Sequence, residues 1–355
     1  MISSVRLQNF RSYRDQSFEF APSVNIIVGP NASGKTNLLE AVAVLATGTS
    51  ARAKDEELIA TGKDWARLEG NFDNETRTIK LTKISPAKTT TINGKTYRRL
   101  NRALNYPIVY FDPDHLNLIT KGPAERRFLI DELLAQSQIE FHSLASAYRR
   151  TLTQRNNLLK KPSAQIKTQI FAWNVRLCQL ASQIATARGN ICEQLNQTLS
   201  SNYSKIAGKK TQIHLHYKPM CPVSNYATKM MAQLEKDQLA DIARGFTGRG
   251  PHREDFSFSV NGQPMAQTAS RGEVRSLFLT LKNIELKLLE GGYGKQPILL
   301  LDDVFSELDG ARRKALVNTL KDYQTIITTT DADSVLDFFG TKDHNLMALS
   351  GRRVS

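Results

Sequence analysis

Eight consecutive residues near the start of the sequence have the spacing of a phosphate-binding loop, Gly-x-x-x-x-Gly-Lys-Thr. The residues are Gly29, Pro30, Asn31, Ala32, Ser33, Gly34, Lys35 and Thr36. Glycines let the backbone curl so that successive N–H groups face an anion, and a following helix adds its positive N-terminal end. In such a loop Lys35 reaches the β- and γ-phosphates and the Thr36 hydroxyl binds Mg²⁺. The octet therefore predicts a nucleoside triphosphate site.

The residues on either side of the octet have the pattern that this interpretation requires. An apolar run at 24–28 predicts a strand before the loop, and residues 38–45 predict an amphipathic helix after it. The alternative is a chance glycine turn, which needs neither element. Because both elements are predicted, we interpret the octet as a P-loop.

A second segment with catalytic character lies at 298–303, where an apolar run is followed by Asp302 and Asp303. Beside a P-loop, such a strand delivers one carboxylate to Mg²⁺ through its water shell and another to the attacking water. We assign the metal to Thr36 and Asp302, and the orientation or deprotonation of the water to Asp303. Paired acids can also be a helix N-cap. The P-loop upstream favours the catalytic interpretation.

A third segment, Ser270-Arg271-Gly272-Glu273, precedes a helical stretch at 274–289. Alone it is an ordinary helix cap. However, the order of P-loop, helical insertion, S-x-G-E helix start and acidic strand is that of the heads of ATP-binding-cassette (ABC) proteins. This resemblance implies that the nucleotide is ATP. It also implies that Ser270 and Gly272 bind in trans, capping the γ-phosphate held by a partner's P-loop.

The elements that must position these segments follow one another along the chain as a strand-rich region, a helical region and a second region with strand character. Residues 1–110 read as short strands, with a hairpin-turn signal at Asn93-Gly94. From about 125 to 240 the apolar spacing becomes helical, with a break at Lys161-Pro162 that predicts two antiparallel helices. Strand character returns near 256–260. We predict an α/β fold in which an ABC-type P-loop ATPase head (1–110 and 245–355, a mixed sheet with flanking helices) carries an inserted helical arm at 111–244.

Composition narrows the class of protein further. The chain of 355 residues has 48 Lys and Arg against 34 Asp and Glu, a net charge of +14, which favours a polyanionic partner over mere solubility. The basic residues cluster: Arg98, Arg99 and Arg102; Arg126 and Arg127; Arg149, Arg150 and Arg155; Lys160 and Lys161; Lys209 and Lys210. No membrane span, signal peptide or CxxC motif is present, so we expect a cytoplasmic protein without disulfides or zinc.

Longer motifs resemble the RecF family, bacterial recombination and gap-repair ATPases of the SMC-like group. They span nearly the whole chain in the family's order: residues 7–13 followed by 29–41, Asp112-Pro113-Asp114-His115-Leu116 with 122–127, 154–159, Gly250-Pro251-His252-Arg253-Glu254-Asp255, and 300–309. The resemblance implies an ATP- and Mg²⁺-dependent homodimer that binds gapped or double-stranded DNA without sequence preference. It also implies mediator partners of the RecR/RecO type, help in loading the RecA recombinase, and a nucleoid-associated role in replication, recombination, repair and the SOS response.

Three features depart from the family or the wider cassette pattern. Glu273 stands where the family usually has Gln, no histidine follows the strand at 325–330, and 110–115 contains no glutamine for a Q-loop. A transporter subunit fits less well because it would lack an inserted helical arm. A full SMC protein fits less well because the arm is short, and a cassette nuclease because the sequence shows no metal cluster. A DNA clamp or scaffold with little catalysis remains the alternative. Any hydrolysis should be slow, because Asp303 is one methylene shorter than the usual glutamate. We also expect it to depend on DNA, as a weak activity that serves a binding function.

Overall fold

The computed structural model describes residues 1–84, 88–98, 100, 102–112, 115, 119–160, 166–339 and 344–349. The Lys161-Pro162 break, Arg99 of the first basic cluster and most of the Asp112–Leu116 motif therefore lie outside the described residues. The chain divides into two compact units, Met1–His115 with Leu281–Ser355, and Leu116–Thr280. No helix in the described residues is long and apolar enough to cross a membrane.

The first unit contains most of the strands. Its elements are β1 (Ile2–Phe10), β2 (Tyr13–Glu19), β3 (Val24–Val28), α1 (Lys35–Thr47), β4 (Trp65–Phe72), β5 (Glu75–Thr82), β6 (Lys88–Ile92), β7 (Lys95–Tyr97), β8 (Ile108–Phe111), β12 (Ile298–Asp302), α9 (Gly310–Leu320), β13 (Thr325–Thr329), α10 (Asp333–Leu336) and β14 (His344–Ala348). Helix α8 (Arg271–Tyr293) begins in the second unit and ends in the first. The strand predicted at 24–28 is confirmed as β3, and the region predicted as short strands, residues 1–110, contains β1 to β7 and most of β8, together with α1.

Two sheets form in the described part of this unit, and their sequences differ in the expected way. The order β14-β3-β13-β12-β8 is parallel throughout, and every residue of β12 and β13 is buried. A parallel sheet covered on both faces requires strands that are buried along their length. Strand β12 is apolar up to Asp302, and β13 combines two isoleucines with three threonines. The order β2-β1-β4-β5-β6-β7 is antiparallel, and β4 and β5 alternate between buried and less buried positions. The predicted ABC-type α/β head is confirmed.

Helix α1 packs against strands of both sheets and is buried on nearly all sides. Leu38, Leu39 and Val42 are fully buried, and they join residues of both sheets in one apolar core. The buried carboxyl end of the helix needs donors for its last carbonyl groups. The Arg77 guanidinium supplies them by donating to the carbonyl oxygens of Ala46 at 2.8 Å and Leu45 at 3.3 Å. The helix that carries the P-loop lysine is therefore held at both faces and at its end.

The Asn93-Gly94 signal forms the turn that joins β6 and β7. Asn93 has φ = 47° and Gly94 has φ = 82°. Two successive positive φ angles define the type I′ turn, which matches the twist of the paired strands. The predicted hairpin is confirmed.

The second unit combines helices with a small antiparallel sheet. Its elements are α2 (Pro123–Ser137), α3 (Phe141–Lys160), α4 (Ile166–Ala207), β9 (Ile213–Lys218), α5 (Tyr226–Lys236), α6 (Gln238–Arg244), β10 (Asp255–Val260), β11 (Gln263–Pro264) and α7 (Met265–Thr268). The first predicted helix, before the break at Lys161-Pro162, is in fact two helices, α2 and α3, and the second corresponds to α4. Helices α3 and α4 pack together. Arg155 of α3 pairs with Asn174 early in α4, whereas Asp131 of α2 pairs with Arg188 later in α4. This reversed order shows that α4 returns along the preceding helices.

The predicted carboxyl boundary of the arm at residue 244 is wrong. The compact second unit extends to Thr280, because β10 pairs with β9 over the full register from Asp255–Lys218 to Val260–Ile213. Residues 245–280 therefore group with the insertion and not with the head. Local strand character near 256–260 gave no information about which sheet that strand would join.

A buried polar cluster holds residues 250–255, the Gly-Pro-His-Arg-Glu-Asp segment, within this unit. His252 Nδ1 lies 2.7 Å from the Tyr148 hydroxyl, and its Nε2 lies 3.0 Å from the Thr247 carbonyl oxygen. Since Nε2 donates to the carbonyl, Nδ1 accepts from the tyrosine and the ring is neutral. Burial is the largest influence on His252 and lowers its pKa to about 4.

Stability should therefore depend on pH through His252. Between about pH 6.5 and about pH 4 the unfolded chain binds a proton here that the folded chain does not, so this contribution is complete above pH 6.5 and declines as the pH falls towards 4. We expect His252→Gln to be less sensitive than wild type to acid in this window, by on the order of 3 kcal/mol at most. Urea unfolding at pH 7.5, 5.5 and 4.5 measures the difference in slope. The exposed His142→Gln should keep the wild-type slope, and equal slopes in all three proteins would contradict the assignment.

Candidate nucleotide-binding site

The parallel sheet gathers three distant parts of the chain at one edge. Strand β3 lies between β13 and β14, and β12 lies beside β13. The register places Asp302 opposite Thr328, and Thr328 opposite Ile27 just before the loop. Loops at the carboxyl ends of parallel strands are the usual ligand site of such sheets. The predicted P-loop and the predicted acidic pair therefore lie together.

Two glycines of the loop are required by close contacts. A Cβ on Gly29 would lie 2.7 Å from the Ser33 Oγ and 2.8 Å from the Leu349 carbonyl oxygen. Gly34 has φ = +104°, and a Cβ there would lie 2.9 Å from both the Ser12 Oγ and the Tyr13 hydroxyl. These are the tight turns that present backbone N–H groups to an anion.

Lys35 and Ser33 have the features expected of groups that bind phosphate. The Lys35 ammonium donates to the carbonyl oxygens of Gly29 at 2.6 Å and Pro30 at 2.9 Å, so it lies across the loop. Burial lowers the pKa of Lys35, while the nearby Asp303 and Asp302 oppose that effect. The buried Ser33 hydroxyl has no hydrogen-bond partner within the described residues. A buried hydroxyl without a partner is costly, and a phosphate oxygen would satisfy it.

Thr36 and Asp302, the residues predicted to hold Mg²⁺, are in direct contact. The Thr36 hydroxyl donates to Asp302 Oδ1 at 2.9 Å, and the Thr328 hydroxyl lies at the same distance from that oxygen. Hydroxyl and carboxylate oxygens are the ligands that Mg²⁺ takes in P-loop sites. The donor set therefore fits the metal. Across the described residues, no group of three or more His, Cys, Asp and Glu side chains is suited to a separate metal ion.

Asp303 adopts a backbone conformation that is uncommon outside glycine, with φ = 50°. Its N–H is held by Thr328, through the carbonyl oxygen at 3.1 Å and the hydroxyl at 3.2 Å. Its Oδ1 is buried without a hydrogen-bond partner in the described part of the chain. Burial raises the pKa of Asp303, Lys35 opposes the shift, and Asp302 reinforces it. The position suits a carboxylate that accepts a proton or orients a water.

Sequence reasoning missed the groups on the other side of Asp302. Two Arg52 nitrogens lie 3.1 Å from Asp302 Oδ2, and one lies 2.5 Å from Asp112 Oδ2. The Tyr110 hydroxyl lies 3.3 Å from the same Asp302 oxygen. One signal was present: Asp112 directly follows the apolar strand β8, the apolar strand β12 ends in Asp302, and Phe111 pairs with Leu301. Asp112 lies directly after β8, the strand beside β12, in the segment 110–115 that has no glutamine for a Q-loop.

Ser270 and Gly272 lie at the start of α8 in the second unit, whereas Lys35, Thr36, Asp302 and Asp303 belong to the first. The Ser270 hydroxyl and N–H each donate to Glu273 Oε2 at 3.0 Å, and Glu273 N–H lies 3.2 Å from the Ser270 oxygen. This reciprocal pattern is a capping box. Lys209 lies 3.4 Å from the same carboxylate. The local cap considered as the alternative is therefore present, and the role in trans stays a prediction.

Comparison with known proteins agrees with this geometry. Residues 4–243 match a family described as an AAA domain. The chain is 36% identical over 343 residues to the DNA replication and repair protein RecF of Agathobacter rectalis, covering 94% of this chain and 93% of that protein. It is 34% identical over 345 residues to the RecF of Lachnoclostridium phytofermentans, covering 95% and 94%.

Solved structures give the same result. A structure described as the recombination mediator protein RecF-ATPrS in the RecFOR pathway has a TM-score of 0.84 and 29% identity, with 95% of this chain and 94% of that chain covered. An Smc head bound to the C-winged helix domain of ScpA has a TM-score of 0.52 at 17% identity, over 94% and 90% of the two chains, and shows likeness of fold alone. With curated relatives above 30% identity along nearly its whole length, the chain belongs to the RecF family of DNA replication and repair proteins.

Proposed function

We propose that this chain binds ATP with Mg²⁺ at the P-loop edge of the parallel sheet and uses the nucleotide to control DNA binding in recombinational repair. The observation that carries the proposal is the meeting of Lys35 and Thr36 with Asp302 and Asp303, from opposite ends of the sequence, beside a loop whose buried Ser33 hydroxyl has no partner in the described residues. The ATP-bound structures of RecF support the choice of nucleotide.

The residues divide the work by position. The P-loop N–H groups and Lys35 hold the phosphates, and Thr36 with Asp302 holds Mg²⁺, which when bound neutralises phosphate charge. Lys35 must exchange its two carbonyl contacts for phosphate oxygens, which are stronger acceptors because they are charged. Asp303 then orients the attacking water with its buried Oδ1. Its short side chain favours slow turnover, which suits a switch whose ATP-bound state must persist.

Asp303→Asn should bind ATP nearly as well as wild type but lose turnover by about 100-fold or more, because general bases contribute roughly that factor. The metal pair Thr36–Asp302 is untouched by the change. Phosphate release and binding of a fluorescent ATP analogue measure the two effects separately. Lys35→Met serves as the comparison, since it should lose affinity itself. Unimpaired turnover in Asp303→Asn would remove Asp303 from the mechanism.

ATP-dependent pairing of two chains is the next part of the proposal. A signature serine acts on a γ-phosphate only when a second chain presents that phosphate, and a two-fold dimer would complete two equal sites. In the isolated chain the Ser270 hydroxyl is engaged with Glu273. The capping box must therefore rearrange when Ser270 meets a phosphate. The charge of Glu273 is partly balanced by Lys209 at 3.4 Å.

Ser270→Arg should retain ATP binding and lose ATP-dependent dimerisation, because the exposed helix start would carry a bulky charge into the contact. Light scattering on a sizing column with a non-hydrolysable ATP analogue gives the mass directly. Ala232→Arg, at an exposed position of α5, provides an arginine of equal charge elsewhere in the same unit. A wild-type chain that remains monomeric at micromolar concentration with the analogue would overturn the dimer.

The basic clusters separate into internal and exposed groups, which reduces the number of basic residues that could contact DNA. Arg155 is fully buried against Asp241, and Arg126 pairs with Asp255. By contrast, Arg149 and Arg150 are exposed on α3. We propose that the exposed pair contacts phosphates of gapped or double-stranded DNA without reading bases. We propose in addition, with support from membership of the family, mediator partners of the RecR/RecO type and help in loading the recombinase.

Replacing Arg149 and Arg150 together with Ala should weaken DNA binding and reduce the slope of log affinity against log salt by up to about 2, since each arginine that no longer neutralises a phosphate removes about one unit. Titration of gapped duplex at several salt concentrations, with and without ATP, measures both quantities. Arg14→Ala with Lys80→Ala removes two exposed positive charges from the first unit and should leave the slope near the wild-type value. A slope unchanged by the α3 substitutions would place the DNA surface elsewhere.

A further inference from the structure

Both oxygens of the Asp302 carboxylate are engaged by donors of the protein itself. Oδ1 accepts from the hydroxyls of Thr36 and Thr328, both at 2.9 Å. Oδ2 faces two nitrogens of Arg52 at 3.1 Å and the Tyr110 hydroxyl at 3.3 Å. A guanidinium therefore lies against Oδ2, the Asp302 oxygen that does not contact Thr36.

A second carboxylate fixes the Arg52 guanidinium in this place. Asp112 Oδ2 lies 2.5 Å from Arg52 Nη2, and the Arg52 guanidinium carbon lies 5.0 Å from the centre of the Tyr110 ring. The Asp112 and Asp302 side chains are only 11% and 10% exposed, so water screens this cluster weakly. Burial alone would lower the pKa of Arg52, but Tyr110, Asp112 and Asp302 outweigh it and raise that pKa. The group between the two carboxylates is thus a permanent cation.

The backbone that carries Arg52 is tied to the P-loop helix. The Ser50 hydroxyl oxygen accepts from the Arg52 N–H at 3.0 Å and from the Ala53 N–H at 3.1 Å. The same hydroxyl donates to Glu40 of α1 at 2.6 Å, and Arg11 holds Glu40 by two hydrogen bonds. The Arg52 side chain, by contrast, is 32% exposed and has solvent into which it can swing.

We propose that Arg52 and Asp112 form a latch that holds a guanidinium against Asp302 and must open before Mg²⁺ can bind beside Thr36. This inference rests on the proposed nucleotide site. Guanidinium and Mg²⁺ repel each other, so the two cations compete for Asp302. Asp112 biases the competition towards the latch because its carboxylate binds the guanidinium directly. A ligand that needs a minor state has its affinity lowered by the population of that state.

The test is the Mg²⁺ dependence of nucleotide binding. Binding of a fluorescent ATP analogue is titrated with Mg²⁺ for wild type and Asp112→Asn, and is repeated in EDTA. Asp112→Asn should shift the Mg²⁺ midpoint to a concentration about three- to tenfold lower, because the weakened latch opens more often. Binding in EDTA should be unchanged, since it involves no competition for Asp302. Asp112→Glu retains the charge and should stay close to wild type.

Asp55→Asn is the matched control, because it removes an equal charge from a carboxylate that pairs with Lys88 instead. It should keep the wild-type midpoint. An unchanged midpoint in Asp112→Asn would overturn the latch, and a shift to higher Mg²⁺ would overturn it by making Asp112 a metal-holding group. If wild type binds no nucleotide at all, or if Lys35→Met binds it equally well, the proposed function fails as well. Nucleotide binding that depends on Lys35, without the Asp112 shift, would remove the latch alone.

Discussion

Parallel pairing around β3 is the constraint on which the rest of the site depends. Strands from both ends of the sequence end at one edge of the sheet, so the loop after β3 lies beside the carboxylates after β12. Strands β12 and β13 are buried along their whole length, which makes the pairing cooperative with the core. A one-residue change in the β12–β13 register would move Asp302 away from Thr328 and turn its side chain to the opposite face of the sheet. The geometry of the candidate site and the stability of the fold are therefore specified by the same hydrogen bonds.

The same packing explains why the loop tolerates polar groups without partners. Helix α1 is buried between the sheets and capped by Arg77, which limits how far the loop can relax to give Ser33 a partner. The Ser33 hydroxyl, and Asp303 Oδ1 directly after β12, have no hydrogen-bond partner within the described part of the protein. Such groups cost free energy and favour a ligand that supplies the missing partners. Lys35 lessens this cost by folding back on two loop carbonyl groups. The site is thus rigid in its backbone and adjustable in its charged side chains.

The sequence alone was sufficient to predict features that a short local pattern specifies. The P-loop, the acidic strand and the Asn93-Gly94 turn each have a short signature whose physical reason is local. It failed where partners are chosen at a distance: nothing near 256–260 indicates that β10 pairs with β9, so the boundary at 244 was wrong. Arg52 was missed for the same reason, because an arginine in a polar loop has no signature until β8 and β12 bring Asp112 and Asp302 together.

The distribution of charge over the molecule also depends on which residues pair with one another. An internal ion pair such as Arg155–Asp241 or Arg188–Asp131 removes one positive and one negative charge, so it leaves the surplus of +14 unchanged. The surplus must therefore be carried by basic residues that are not matched by acids, and the exposed arginines of α3 are among the candidates. Arg52 is intermediate between an internal ion pair and an exposed basic residue. It is paired with two carboxylates, and under the proposed latch its guanidinium moves towards solvent when Mg²⁺ replaces it at Asp302. The ion pairs of the first unit would then change with the nucleotide although the composition does not.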